Sequence, residues 1–322
     1  MNTFGRNFRV QVFGESHGEG IGVVVDGVKA GIPLCKDDFM NDILRRKSGA
    51  KGTTPRIESD EPEILSGVFE GHTTGAPIAI IFRNMNSRSS DYDALRDVPR
   101  PGHADYTASV KFEGFNDPRG GGHFSGRLTL PLVAAGVIAK KQCCSSVSSG
   151  LVFEAELKEI GGETNKDKWA ALLEETSHEG DSLGGIVECR IAGIPAGLGE
   201  PFFDSVESLV SHAVFSIPGV RGIEFGDGFA ASRMKGSEHN DVFPLTKNGS
   251  GGINGGITNG ALIVFRVAFK PTSSIAKTQQ TLNLKTGKTV DLNVPGRHDT
   301  CFAIRTPVIV EAVAAIVLAD LM

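Results

Sequence analysis

No two cysteines of this 322-residue chain stand in a C-x-x-C spacing, and the five present (Cys35, Cys143, Cys144, Cys189, Cys301) are odd in number. That excludes a disulfide framework or a zinc ribbon and reads as reduced thiols in the cytoplasm. An excess of basic residues is also missing: 33 Lys and Arg stand against 38 Asp and Glu, a net charge of −5. The basic face that a general nucleic-acid binder needs is therefore not expected. No apolar run reaches the ~18 residues of a membrane span. The opening MNTFGRNFRVQVFG lacks the uninterrupted apolar core of a signal peptide. The histidines show neither His-x-His nor His-x-x-x-His spacing, so no permanent metal site is expected. What remains is a soluble globular chain, 40% hydrophobic, able to bury a substantial core.

Two tempting motifs fail their structural tests. Gly14-Glu15-Ser16-His17-Gly18 fits G-x-S-x-G, but a nucleophile elbow needs a helix directly after the serine. Here GEGIGVVVDGV follows, glycine-rich and then β-branched, so Ser16 and His17 belong on an exposed loop between two strands. The run NGSGGINGGITNG (Asn248–Gly260) invites a dinucleotide reading. It leads into the strand-like ALIVFRVAF, with no helix N-terminus to meet a pyrophosphate.

The chemistry gathers instead in short glycine- or proline-punctuated segments. The richest runs from Arg100 to Arg127, RPGHADYTASVKFEGFNDPRGGGHFSGR, with His103, His123, Arg119 and the triple glycine Gly120–Gly122. Its glycines and prolines predict loop and short strand, with bare backbone able to approach a ligand. GESHG, SEHND (Ser237–Asp241), KPTSS (Lys270–Ser274) and GRHD (Gly296–Asp299) have the same character. Arg45, Arg46, Lys47, Lys51 and Arg56 put five basic residues into twelve, which predicts a mobile anion-binding loop after the helix 36–47. Arginines, a lysine, hydroxyls and bare amides supply charge-assisted donors to phosphate, and histidine is the natural proton donor near neutral pH. On residues alone this is an enzyme acting on a phosphorylated anionic small molecule. A non-catalytic phosphate binder and a phosphohydrolase are the rivals.

Two segments, LPLVAAGVIAKK (Leu130–Lys141) and PVIVEAVAAIVLA (Pro307–Ala319), have almost no polar face and predict helices buried on all sides. In a strand-rich chain they imply an α/β architecture of the α+β kind, with apolar helices enclosed between antiparallel sheets. AGIP recurs at 30 and 192, Gly71-His-Thr-Thr-Gly75 is echoed by Gly256-Ile-Thr-Asn-Gly260, and the apolar helices make a third pair in the same order. We read one domain over 1–322 containing an internal duplication, with halves 1–145 and 150–322 sharing one core.

Six segments in register, GESHG, RPGHAD, GGGHFSGR, SEHND, KPTSS and GRHD, resemble the chorismate synthase family over nearly the whole chain. The resemblance implies a β-α-β sandwich and a homotetramer. It implies conversion of 5-enolpyruvylshikimate 3-phosphate to chorismate and phosphate, a trans-1,4-elimination that needs reduced FMN without net redox change. NADPH or an external flavin reductase would supply the reducing power. By position, His17 and His103 resemble the catalytic histidines, Ser16 and Ser125 relay hydroxyls, and Asp299 the carboxylate that assists proton removal. The flavin would be held by His123, Phe124, Ser125, Glu238, His239, Gly255, Lys270, Pro271, Thr272, Ser273, Ser274 and Arg297. Substrate or NADP would meet Arg46, Lys51, Arg100 and Arg127, with Lys51 standing where many members carry arginine.

Overall fold

A computed structural model describes residues 1–54, 59–85, 96–147, 150–242, 247–294 and 298–322. The first half runs β1 (Thr3–Phe4), β2 (Arg9–Gly14), β3 (Gly20–Asp26), α1 (Met40–Arg46), β4 (Glu63–Ile64), the hairpin β5–β6 (Val68–Phe69, His72–Thr73) and β7 (Ile78–Arg83). Helices α2 (Asp105–Lys111) and α3 (Thr129–Ser146) follow. Its main sheet has the antiparallel order β1-β2-β3-β7-β4. Alternation in β7 turns Ile78, Ile80 and Phe82 inward, as the period of two requires.

The second half runs β8 (Val152–Ile160), α4 (Lys166–His178), β9 (Gly185–Ala192), α5 (Val206–Val214), β10 (Val220–Phe225) and α6 (Gly236–His239). Then come the hairpin β11–β12 (Ile253–Asn254, Ile257–Thr258), β13 (Ile263–Phe269), a second hairpin β14–β15 (Gln279–Leu282, Thr289–Leu292) and α7 (Pro307–Leu321). Its main sheet has the antiparallel order β10-β13-β9-β8.

Helix α3 lies on β2, β3 and β7, helix α7 lies on β8 and β9, and the two helices pack on each other. The layers are sheet, helices, sheet. The apolar segments form buried helices because no stripe of either is polar enough to face water. At their crossing Gly136 meets Ala312 so closely that any side chain at 136 would collide. One carboxylate, Glu311, is buried in this core and accepts from Arg45 Nη1 and Nη2, Lys140 Nζ and the backbone N–H of Ala155. That set of partners offsets the desolvation of a buried charge, and burial of an unpaired one would cost several kcal/mol. Near the end of α7, Asp320 Oδ1 accepts the backbone N–H groups of Arg6, Asn7 and Phe8. No described helix is long and apolar enough to cross a membrane.

Four strands of each main sheet correspond in order. Orders β2-β3-β7-β4 and β8-β9-β13-β10 match, and in chain order α1 corresponds to α5, the hairpin β5–β6 to β11–β12 and α3 to α7. Thr73 Oγ1 accepts from Ile32 N and donates to Lys29 O, while Thr258 Oγ1 accepts from Leu198 N and donates to Pro195 O. Each threonine thus ties its hairpin to the loop before it, the partners falling at Lys29 and Ile32 in the first half and at Pro195 and Leu198 in the second.

Two expectations need correction. The stretch 100–127 contains no strand; it holds α2 and two 3₁₀ turns, Arg119–Phe124 and Gly126–Leu128. The basic stretch is not an open anion-binding loop, because its described cations already have partners. Arg45 bridges to Glu311, Arg46 to Asp60 and Lys51 to Glu174, and Lys47 Nζ donates to Ser59 O. Arg56 lies outside the described residues.

Candidate active site

The triple glycine organises the site. Gly120, Gly121 and Gly122 have φ of 60°, 92° and 52°, a left-handed run that side chains disfavour. A Cβ at Gly120 would collide with the His17 ring, and one at Gly122 would collide with Asp117 O. A Cβ at Gly121 would lie 3.2 Å from His103 Cε1 and 3.3 Å from His103 Nε2. The two histidines read from the sequence thus flank one bare turn. Asp117 holds the turn's start by accepting from Arg119 Nε (2.9 Å), Nη2 (2.8 Å) and N (3.0 Å).

Ser16 and His17 are not the exposed pair that their loop suggested. They are buried, because the turn closes over them: Ser16 N donates to Gly122 O at 3.1 Å, and Ser16 Oγ donates to Arg119 O at 3.3 Å. Ser16 Oγ also lies 3.1 Å from His17 Nδ1.

On the other side of the turn a cavity of about 1130 Å³ opens. His103, His123, Phe124, Ser125, Arg100, Lys270–Ser274 and Asp299 line it, with Gly120 in its wall. Among the described residues that line it, the cations Arg100, Arg221, Lys270 and Arg305 stand against the single carboxylate Asp299, so the cavity favours an anion. Lys270 follows β13 and its Nζ donates to Ser273 Oγ. Burial, with help from Arg221, lowers the Lys270 pKa, a strain that a bound anion relieves. Ser273 Oγ donates to Gly102 O at 2.7 Å, and Ser274 Oγ accepts from Arg100 Nη1 at 3.1 Å, joining KPTSS to RPGHAD. Thr272 Oγ1 is buried without a hydrogen-bond partner among the described residues, as expected where a ligand completes the loop. His123 Nδ1 donates to Gly14 O at 2.8 Å.

Asp299 is buried between Thr54 N (2.8 Å) and Arg305 Nη2 (2.6 Å). It also borders a smaller cavity of about 400 Å³ that contains Lys51, so Lys51 sits beside the main cavity, with Ser274, His298 and Asp299 shared by both. Arg46 and Arg127 lie behind the wall, both bonded to Asp60. Burial and the nearby Arg305 push the Arg46 pKa down to about 9, still charged at neutral pH.

Glu238, His239 and Gly255 are not brought to this cavity. His239 Nδ1 faces Asp227 at 3.0 Å, and Gly255 forms the turn of β11–β12. Arg297 lies outside the described residues. Sequence reasoning overlooked Asp105, 2.6 Å from His103 Nδ1, and Arg305. The His-x-Asp spacing of RPGHAD signals the first; nothing local signals the second. Burial pushes the Cys143, Cys189 and Cys301 thiols up, so none is a poised nucleophile.

Known proteins sharpen the picture. A family model described as chorismate synthase matches residues 8–322. A chorismate synthase of Chitinophaga pinensis is 60% identical over 327 residues, covering 100% of this chain and 96% of the relative. Those of Dehalococcoides mccartyi and Korarchaeum cryptofilum are each 46% identical, covering 99% of the chain and 96% of the relative. A crystal structure of chorismate synthase superposes with a TM-score of 0.75 at 28% identity, covering 99% of this chain and 92% of that one.

Proposed function

Since the chain belongs to the chorismate synthase family, whose flavin-dependent lyases eliminate phosphate from 5-enolpyruvylshikimate 3-phosphate to form chorismate, we propose which of its residues carry that reaction. The carrying observation is that His17 and His103 flank the Gly120–Gly122 turn, while Lys270–Ser274 and Asp299 share the cavity beside it.

The cofactor is FMN in its reduced state, recruited with NADPH or an external reductase as the source of electrons. The cavity fits it: its volume exceeds the roughly 300–1,000 Å³ of an ordinary ligand pocket, so cofactor and substrate can sit together. Lys270, Thr272 and Ser273 would hold the flavin with His123, Phe124 and Ser125. When bound in reduced form, the flavin supplies the electron-rich partner that the elimination requires without net redox change.

This chain's residues handle charge and protons. Arg100 and Arg305 place fixed cations where an anionic substrate must lie, with Arg46 and Arg127 reinforcing the field from behind. One C–O bond to phosphate breaks and one C–H proton leaves. His103, on the cavity wall, and His17, beneath Gly120, serve as the proton-transfer pair, with Ser16 and Ser125 as relay hydroxyls. Asp299, fixed by Arg305 and Thr54, assists proton removal.

The protein acts as a homotetramer in the cytoplasm. Phe202 and Phe203 are 85% and 92% exposed, the kind of side chains an interface covers, and all five cysteines are free. Glu238, His239 and Gly255 would then meet flavin through a neighbouring copy. The matching strand orders support descent of 1–145 and 150–322 from one duplicated unit.

Anaerobic phosphate release, measured with oxidised and with reduced FMN, tests the function. Turnover with reduced FMN alone is expected. Equal phosphate release with oxidised flavin would make the protein a phosphohydrolase.

A further inference from the structure

We propose that Asp105 is a positioning residue that holds His103 in a single tautomer, with the proton on Nδ1 and Nε2 turned to the glycine turn. The inference rests on the reading of His103 as a proton-transfer residue. His103 Nδ1 lies 2.6 Å from Asp105 Oδ1. An ionised carboxylate only accepts, so Nδ1 must donate.

Asp105 is itself held rigidly. Its Oδ2 accepts from Arg100 Nε (2.7 Å) and Arg100 N (3.0 Å), and its Oδ1 accepts from Arg100 Nη2 (2.8 Å). Arg100 Nη2 also stands 3.1 Å from His103 Nδ1, but both are donors converging on the same Oδ1. Burial alone would raise the Asp105 carboxyl; hydrogen bonds from Arg100 and His103 outweigh it and hold the group well below the ordinary carboxylate range. The carboxylate is therefore present whenever the site works.

The arrangement leaves His103 one free direction. Nε2 faces Gly121, where the absence of a Cβ keeps the ring edge uncovered, and His103 lines the main cavity. Neutral His103 can accept a proton only at Nε2. Once protonated, it can give that proton back only there, while Asp105 stabilises the imidazolium. Arg100 also bonds Ser274, so the same clamp registers the His103 ring against the 270–274 loop.

A rival account makes Asp105 merely the first residue of α2, favourable at a helix start. Nitrogen-15 NMR of histidine-labelled protein separates the two, with the His103 signals identified by their loss in His103→Gln. The expected wild-type spectrum places the neutral ring's proton on Nδ1. In Asp105→Asn the carboxamide turns its NH₂ toward the ring while Arg100 occupies its oxygen. The proton should then move to Nε2. With it, kcat should fall on the order of 10²-fold or more at little change in KM, and Asp105→Glu should recover part of the loss. A wild-type proton on Nε2, or an Asp105→Asn protein with unchanged tautomer and kcat, overturns the proposal. The wild-type spectrum decides even where Asp105→Asn fails to fold. Full activity of His103→Gln would instead remove His103 from the chemistry and leave the tautomer result standing.

Discussion

Arg305 donates from Nη2 to Asp299 Oδ2 at 2.6 Å while its guanidinium lies 4.9 Å from the Phe302 ring centroid. Both members of the pair are largely buried, at 15% and 9% side-chain exposure. Arg305→Ala leaves the carboxylate with Thr54 N as its hydrogen-bond donor among the described residues and removes the cation from the Phe302 ring. Breaking a buried pair in this way costs about 3–5 kcal/mol, so a loss near the low end, in urea unfolding, is expected together with reduced turnover. Arg305→Lys should keep the charge but not the planar stack, and fall between. Wild-type stability in Arg305→Ala would show the pair to be incidental.

Gly120→Ala should damage both fold and catalysis. The new Cβ meets the His17 ring, and alanine is disfavoured at φ of 60°. Overpacking and the left-handed backbone together should cost about 2–4 kcal/mol. His17→Ala combined with Gly120→Ala should recover the steric part, leaving the backbone part, which a double-mutant cycle measures. Strict additivity of the two losses would mean that the ring and the turn do not press on each other.

His17→Ala by itself should remain folded and bind FMN, while turnover falls on the order of 10²–10⁴-fold, the usual worth of a general acid. Near-normal turnover would remove His17 from the reaction.

Lys270→Ala should weaken FMN binding by about 1.5–3 kcal/mol, the range for a lost charge-assisted hydrogen bond. Flavin fluorescence titration of the folded variant checks it. Unchanged affinity would move the flavin away from this loop.

Acid should expose the Asp105 clamp. The folded carboxyl titrates below its unfolded value of about 3.9. Its contribution is therefore fully present above that value and lost as pH falls toward the folded pKa. The stability gap between wild type and Asp105→Asn should be constant above about pH 5 and shrink below about pH 4. A gap independent of pH would mean that the ionised form is not what the fold favours.

Much of the architecture was legible because it is written in continuous patterns. The segments at 130 and 307 carry no polar stripe, so only enclosed helices could bury them. The glycine-flanked threonines, Thr73 and Thr258, marked hairpins whose hydroxyls make the same pair of backbone bonds in both halves. The burial of Ser16 and His17 was not legible, since their cover comes from Arg119–Gly122, remote in sequence. A reading of 100–127 as loop and strand missed α2 because one short helix among glycines leaves almost no periodic signal. The Asp105 clamp had a local hint in His-x-Asp. Arg305 had none, as its importance comes from tertiary contact with Asp299.

The placement of α7 between the sheets has a consequence for how the chain is made. Helix α3 leaves the ribosome early, yet the face that meets Ala312 stays bare until residues 307–321 are synthesised. At ~5–20 residues per second that interval is roughly 10–35 s. Throughout it helix α3 covers the first sheet without its own helical partner, and the N–H groups of residues 6–8 wait for Asp320. Such long-range closure makes folding slow and largely post-translational. A nascent chain halted before residue 307 is therefore the species most exposed to aggregation and most in need of a chaperone.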